Sequence, residues 1–515
     1  MNNNPNTDIA KPKENLRQRA YLNSVTSVID YGAQLLTKFF VTPFLVSGLG
    51  STLFGVWNVL GQFTSYANLA DIKVTQVLKW AIAKDRDSIS DEELRKYVTA
   101  TFLLVLLILP IILTLGAIII WFAPEITGVG EEHVAVVRIT ASILLLALVI
   151  NKVFDIFESI LRGMNLSFKR IGVRAAVIII GGVLQVTAIL LGYGLIALAM
   201  VQVFIMLSMG ITIYFIMNKY VPWFGWGEID LKKSLFFFKT SGWFVGWTGT
   251  RLLLLNTDKV ILGYLAGPVL VTQYVITQYL ANAVHGIVKN IINGVFPGIG
   301  KLYGNREYEK LMKVRKHVML LTWLFAVSIG SVIILFNESF IELWVTESEY
   351  AGQLVNLLIL LSVIQYLFIQ NDSVIIDTTL ELSQKVYFGL VAAIISVGLM
   401  FATIPNYGIA GLCLSMMIGR SVISIAYPAI IYIKADEYIR FKDLPFRPLV
   451  TILVLWYCVY RVASLIQPQN WTTLGVSILI SLSIITPIAF YSGIDKNNRI
   501  QIISYFKSVL LLKND

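Results

Sequence analysis

Apolar runs long enough to cross a bilayer follow one another through almost the whole chain, and this succession restricts the fold more than any other feature of the sequence. A membrane-crossing helix needs roughly 18 to 20 apolar residues, and read in order the runs fit about fourteen spans. They fall at 21–47, 52–82, 97–122, 133–162, 172–192, 195–218, 240–264, 268–299, 317–337, 350–378, 386–404, 408–433, 448–466 and 471–492. Of the 515 residues 57% are hydrophobic and 14% charged, against roughly 25% charged in a soluble domain. No soluble domain of any size fits between the runs, so the expected class is an all-α polytopic membrane protein.

The connections between runs separate by charge. Lys11, Lys13, Arg17 and Arg19 precede the first span, Lys84, Arg86, Arg95 and Lys96 follow the second, and Lys301, Arg306, Lys310, Lys313, Arg315 and Lys316 follow the eighth. The intervening connections, such as SGLGS, APEITGVGEE, LGYG, LAGP and FNESFIELWVTESE, hold no Lys or Arg. Cytoplasmic loops are the ones enriched in cations, which places both termini in the cytoplasm of a bacterial or archaeal cell, with the chain in its cytoplasmic membrane. The same enrichment accounts for the net charge of +10, so no nucleic-acid partner is expected. The polar first twenty residues lack the features of a cleaved signal peptide, and the first span is expected to act as its own insertion signal.

A repeat runs through this series. Gln34 to Trp57, QLLTKFFVTPFLVSGLGSTLFGVW, is echoed by Arg251 to Tyr274, RLLLLNTDKVILGYLAGPVLVTQY. At a shift of about 217 positions Gly50 falls on Gly267 and Trp57 on Tyr274, and at about 214 the turns GYGLIAL and NYGIAGL match Gly194 with Gly408. Each unit holds six spans, an even number, so both insert the same way up, related by a pseudo-twofold axis along the membrane normal. The expected organisation is a cytoplasmic tail at 1–20, a six-helix bundle at 21–218, a cytoplasmic amphipathic linker at 219–239, a second six-helix bundle at 240–433, two additional spans at 448–492 and a cytoplasmic amphipathic tail at 493–515. The linker stretch LKKSLFFFK and the tail read as interfacial helices with lysines toward the headgroups.

Polar residues inside spans are costly and face a cavity or a partner. Asn23, Ser27, Asp30, Gln34 and Lys38 recur at three- and four-residue steps on one face of the first span. Gln278, Asn282, His285, Lys289 and Asn293 do so in the eighth, and Asn151, Asp155, Glu158 and Arg162 in the fourth, beside Lys152. At about 1.5 Å per residue, Lys38, Lys152, Arg251, His285, Lys289 and Arg420 come within roughly 8 Å of the midplane. The acids Asp30, Asp71 and Asp377 sit nearer the cytoplasm and Asp258 nearer the outside. This pattern fits a water-filled cavity between the bundles with a basic centre suited to phosphate or diphosphate. Arg251, Lys38, Lys289, Arg420 and Lys152 would bind the anion, with Gln34, His285 and Asn282 beside them. Packing offers a competing use for each charge: Lys38 paired with Asp30, Lys152 with Asp155 or Glu158, and Asp258 with Lys259 or Arg251.

Phosphate loops, HExxH, GxSxG and paired-cysteine motifs are absent from the sequence, and Cys413 and Cys458 read as packing residues. No enzyme, cofactor or metal is expected. Transport without a nucleotide-binding domain draws on an ion gradient, the membrane potential or the substrate's own gradient; Asp258, Asp372, Asp155 and Glu158 are the candidates for coupling a proton or sodium ion.

The entry LVSGLGSTLFGVWNVLGQFTSYANLAD, ending in Ala70-Asp71-Ile72-Lys73, together with the GYGLIAL and NYGIAGL turns, resembles the oligosaccharide flippases of polysaccharide biosynthesis, within the multidrug/oligosaccharidyl-lipid/polysaccharide exporter superfamily. Trp57 stands where that family usually has tyrosine. The resemblance implies export of a polyprenyl-diphosphate-linked oligosaccharide, turned from the cytoplasmic to the outer leaflet by rocking of the two bundles, with other polysaccharide-assembly proteins as partners. Three alternatives stand beside it. A lipid-linked peptidoglycan-precursor flippase shares the fold and span number. A multidrug antiporter of the superfamily would want a cavity dominated by acids, and a membrane polysaccharide polymerase would carry a large external loop that this sequence lacks.

Overall fold

The computed structural model of the chain describes residues 16–67, 74–86, 88–170, 172–378, 382–435 and 446–511. The first fifteen residues, the Ala70-Asp71-Ile72-Lys73 stretch, and the side chains of Asn23, Ser27 and Asn293 lie outside what is described. Among the described residues every regular element is helical, and ten helices are long and apolar enough to cross a membrane.

Helix α1 (Leu16–Ala67) is 52 residues long. Straight, it would measure ~80 Å, more than twice the ~30 Å hydrocarbon thickness of a bilayer. Gly50, at φ 69° and ψ 169°, divides it into two limbs. A left-handed φ costs a residue with a Cβ about 1–2 kcal/mol and glycine almost nothing. Then come α2 (Val74–Asp85), α3 (Asp91–Thr127), α4 (Val134–Gly163), α5 (Val173–Leu190) and α6 (Gly194–Tyr220). The side chain of Ser90 accepts the Glu93 N–H at the start of α3, and Asp91, Glu92 and Glu93 occupy the positively polarised first turn.

The second set opens with α7 (Leu231–Leu255), whose Asp230 cap accepts from the Lys232 and Lys233 N–H groups. The LKKSLFFFK stretch forms the opening turns of this helix. There follow α8 (Asp258–Ala266), α9 (Pro268–Thr277), α10 (Tyr279–Gly304), α11 (Tyr308–Trp344), α12 (Gln353–Thr378) and α13 (Ser383–Lys434). The last of these is again 52 residues, divided at Gly408 with φ 52° and ψ −128°. Helices α14 (Phe446–Ala463), α15 (Trp471–Gly493) and α16 (Lys496–Leu511) complete the chain.

The sequence repeat is present in the backbone. Gly50 and Gly267 share a conformation, φ 69° and ψ 169° against φ 83° and ψ 167°. Gly194 and Gly408, the other matched pair, both take positive φ, 62° and 52°.

Helix α1 packs on α3, α4, α5 and α6 along one flank and on α8, α9 and α10 along another, while α14 and α15 pack on α11. The largest apolar core crosses between the sets and includes Val56, Leu60, Leu262, Val271 and Ile341, all fully buried. At the Gly50/Gly267 end the two sets meet closely. A Cβ on Gly55 would stand 1.9 Å from the Pro268 carbonyl oxygen, so backbone touches backbone there. Thr272 Oγ1 donates to Ser51 O at 2.6 Å, and the Ser51 hydroxyl donates to Glu349. Deeper along α1, Trp344 Nε1 donates to Phe39 O at 2.7 Å, Tyr279 to Leu35 O at 3.1 Å and Tyr31 to Ala283 O at 3.0 Å. Leu107, Phe215, Leu453 and Leu479 stand exposed on the outer faces, as lipid-facing residues do.

Candidate substrate cavity

Two helix breaks build the site, and neither was expected, since 240–264 and 268–299 read as unbroken spans. The first separates α7 from α8 at Asn256 and Thr257; the second, milder, is the single turn residue Gln278 between α9 and α10, with φ −79° and ψ −4° and its N–H still bonded to Tyr274 O at 3.0 Å. A helix end leaves carbonyls without their intrahelical partners, and in a membrane these must be answered by protein. Arg420 answers one: its Nη2 donates to Leu254 O at 2.9 Å and its Nη1 to Ser362 Oγ at 3.1 Å. Its guanidinium lies 5.2 Å from the Tyr366 ring centroid, in cation–π range. Across the break, Thr257 Oγ1 receives the Tyr66 hydroxyl of α1 at 2.8 Å. Asp258, in the first turn of α8, accepts the Tyr274 hydroxyl on Oδ2 at 2.9 Å, while its buried Oδ1 has no hydrogen-bond partner.

Between the breaks lies a cavity of about 220 Å³. Four of the residues expected at a site line it: Arg420, His285, Asn282 and Asp258. His285 Nε2 is 2.8 Å from Gln370 Oε1 and its ring is 5.4 Å from that of Tyr366. Arg251 is exposed and Lys289 half-buried, beside the cavity rather than on its wall. Both are within electrostatic reach of His285, and Arg251 also of Tyr366 and Lys385. Lys38 is exposed on α1, within electrostatic reach of the cavity-lining Lys259, and Gln34 is half-buried one turn away. A row of cations therefore borders the cavity with Asp258 as the one acid on its wall among the described residues.

Other expected residues lie elsewhere. Lys152, Asp155 and Glu158 are on α4, away from the cavity wall. Asp155 Oδ2 accepts from Thr75 at 3.2 Å, and Glu158 is held by Arg162 and, at 3.2 Å, by Arg170. Asp30 faces Arg170 at 3.8 Å and Arg174 at 3.9 Å, so its partners are these arginines and not Lys38. Asp372 is 3% exposed and gripped by Arg315, Nε to Oδ1 at 2.7 Å and Nη2 to Oδ2 at 2.9 Å. Arg315 had been read as part of a cytoplasmic connection; it reaches Asp372 from the early turns of α11. Tyr274, Ser362 and Tyr366 belong to the wall and were not singled out by sequence reasoning. Tyr366 follows Gln365, a polar residue inside the apolar run at 350–378, which was the available signal. Among the described residues no group of His, Cys, Asp and Glu could hold a metal ion.

A family model described as polysaccharide biosynthesis protein matches residues 22–303, more than half of the chain. The chain belongs to that family. No curated protein matches it significantly in sequence. Among solved structures it resembles the lipid II flippase MurJ in an inward closed conformation, at 15% identity and a TM-score of 0.65, over 92% of this chain and 99% of that one. It also resembles a multidrug resistance MATE family transporter of the MOP superfamily in an inward-facing conformation, at 15% identity and 0.58, over 81% and 97%. A MOP superfamily transporter from Pyrococcus furiosus Vc1 (DSM3638), described by the reverse polarity of its binding pocket, is similar at 16% identity and 0.55, over 82% and 96%. The fold is that of the MATE and MurJ transporters.

Proposed function

We propose that the chain is a flippase that carries a polyprenyl-diphosphate-linked saccharide from the cytoplasmic to the outer leaflet by alternating access. Dividing α1 at Gly50 and α13 at Gly408, taking the second limb of α1 with α2, α7 with α8 and α9 with α10 as single spans, and leaving out the C-terminal α16, gives fourteen spans. They group as two six-helix bundles plus α14 and α15. The charge segregation then sets both termini in the cytoplasm and the Gly50/Gly267 end outside.

The observation that supports this reading most is the extent of the fold likeness. It covers 92% of the chain with MurJ and 81–82% with the MATE transporters. The difference, about a tenth of the chain, is close to the combined length of α14 and α15. This sets the chain apart from the drug transporters but does not divide the two lipid-linked substrates considered above; that the solved structure sharing 92% of it is a lipid II flippase favours a peptidoglycan precursor over the oligosaccharide that the sequence resemblance put first. Family membership supports the oligosaccharide as a second reading. The cation row disfavours a drug antiporter.

In this account Arg251, with Lys289 and Lys38 nearby, takes the diphosphate. The planar fork of Arg251 can grip phosphate oxygens through two bonds. Arg420 is largely committed to Leu254 and Ser362 and serves mainly to hold the α7/α8 break in place. Of the four acids considered for ion coupling, Asp258 retains a free oxygen at the cavity, whereas Asp372, Glu158 and Asp155 have protein partners.

The test is to deplete the protein and identify the lipid-linked species that builds up in the cytoplasmic leaflet. A peptidoglycan precursor is the expected result, and an oligosaccharide would establish the second reading. A normal complement of every lipid-linked saccharide would refute both.

A further inference from the structure

Four amide side chains converge on the cavity from separate directions: Gln62 from the second limb of α1, Asn256 from the α7/α8 break, Gln278 from the α9/α10 break and Asn282 from the first turn of α10. None of these side chains has a hydrogen-bond partner among the described residues. Gln278 is only 5% exposed. Burying an amide without a partner is unfavourable, and more so in the interior of a membrane, where leucine would fill the same place without that loss. The arrangement is therefore incomplete as a protein core, and complete only when something polar occupies it.

The chemistry of the wall restricts what that is. An amide offers two donors and an acceptor oxygen with two lone pairs, so four amides answer a ligand that both donates and accepts around its whole edge. Sugar hydroxyl and acetamido groups do this; a phosphate only accepts. The free Oδ1 of Asp258 adds an acceptor that would repel an anion and receive a hydroxyl. The volume, about 220 Å³, lies below the roughly 300–1,000 Å³ of pockets for drug-sized ligands, so it admits one sugar unit and not a chain. Arg251 and Lys289 are not on this wall, though both are within electrostatic reach of His285, which is. The two cations that do stand on the wall are already answered by protein, Arg420 by Leu254 O and Ser362 and Lys259 by the neighbouring Asp258.

We infer that the cavity between the two helix breaks is the subsite for a single neutral sugar ring of the lipid-linked substrate, read by Gln62, Asn256, Gln278 and Asn282, with the diphosphate held outside it at Arg251 and Lys289. This rests on the flippase reading and specifies where the two parts of its substrate sit.

Thermal unfolding of the purified full-length protein with two soluble probes, N-acetylglucosamine and inorganic diphosphate, tests it. A ligand that binds only the folded state raises Tm according to its concentration over Kd. N-acetylglucosamine is expected to raise Tm of the unaltered protein, and Gln278→Leu and Asn282→Leu each to weaken its apparent affinity by about tenfold, one lost hydrogen bond's worth. Both variants should keep the diphosphate response, and Arg251→Ala should lose that response while keeping the sugar's. Without ligand, Gln278→Leu should melt no lower than the unaltered protein, an outcome that a structural role for the amide would not give. Absence of any sugar-dependent shift, or an undiminished one in both leucine variants, overturns the inference. Should Gln278→Leu fail to fold, a structural role is shown for that residue, and the exposed Asn282 decides the subsite. A shift with sugar but none with diphosphate would remove the phosphate assignment and leave the sugar subsite standing.

Discussion

Replacing Asp372 with asparagine separates two uses of a buried acid. In the structure its carboxylate, 3% exposed, forms two charge-assisted bonds to Arg315, whose side chain is 13% exposed. Asparagine keeps the size but removes the charge, so the Arg315 guanidinium is left in a low-dielectric site with no counter-ion. Breaking a buried pair in this way costs about 3–5 kcal/mol, whereas replacing both partners by apolar residues of similar volume is near neutral. Scaled to a chain of this length, that is a drop in Tm on the order of 5 °C. Asp372→Asn should therefore reduce the amount of folded protein in the membrane and its Tm in detergent, and Arg315→Met combined with Asp372→Leu should restore most of both. The reasoning is refuted if Asp372→Asn is as stable as the unaltered protein and loses only the dependence of transport on a pH gradient. That result would make Asp372 a proton site and Arg315 a dispensable neighbour.

Gly50→Ala should cost about 1–2 kcal/mol through its φ of 69° alone, because a Cβ there would meet no atom within 4 Å; measured thermal stability equal to the unaltered protein would show the turn to be relaxed. Arg420→Leu should destabilise by at least ~2 kcal/mol, since Leu254 O and Ser362 lose a charged donor, and Tm together with membrane abundance reports it. Asp258→Asn should leave abundance unchanged, because Tyr274 can still donate to the amide oxygen, and should abolish any stimulation of transport by an ion gradient; unchanged stimulation removes Asp258 from coupling. Labelling intact cells with an impermeant thiol reagent should modify Glu347→Cys and leave Glu307→Cys unmodified, and the reverse pattern overturns the orientation.

Much of the architecture was legible because lipid imposes a simple rule on composition: runs of apolar residues become helices, and glycine marks where they must turn. The match of Gly50 with Gly267 is an example, since a repeat in sequence becomes a repeat in φ and ψ where no other residue is cheap. The breaks at Asn256-Thr257 and Gln278 were not legible. They contain no glycine or proline, and what holds the first open is a donor from α13, Arg420, more than 160 positions away. The same limit explains the charge pairs. Sequence spacing suggests partners on the same face of one helix, which gave Lys38 to Asp30 two turns away; the fold brings Arg170 and Arg174 to Asp30 and Arg315 to Asp372 from other elements. The polar stripe of the eighth span contains His285 and Asn282, which line the cavity, while Tyr366 and Tyr274 passed as ordinary apolar-run residues because an aromatic wall looks the same in sequence as an aromatic core.

The central claim is tested most directly by flipping in proteoliposomes: purified protein is reconstituted with a polyprenyl-diphosphate-linked saccharide in the inner leaflet, and arrival in the outer leaflet is followed with a membrane-impermeant sugar-modifying enzyme. The account predicts that the protein accelerates arrival far beyond protein-free vesicles, that Arg251→Lys slows it and that Arg251→Ala slows it further at equal abundance and Tm. Arrival at the rate of protein-free vesicles, with folded protein present and every gradient supplied, would contradict it.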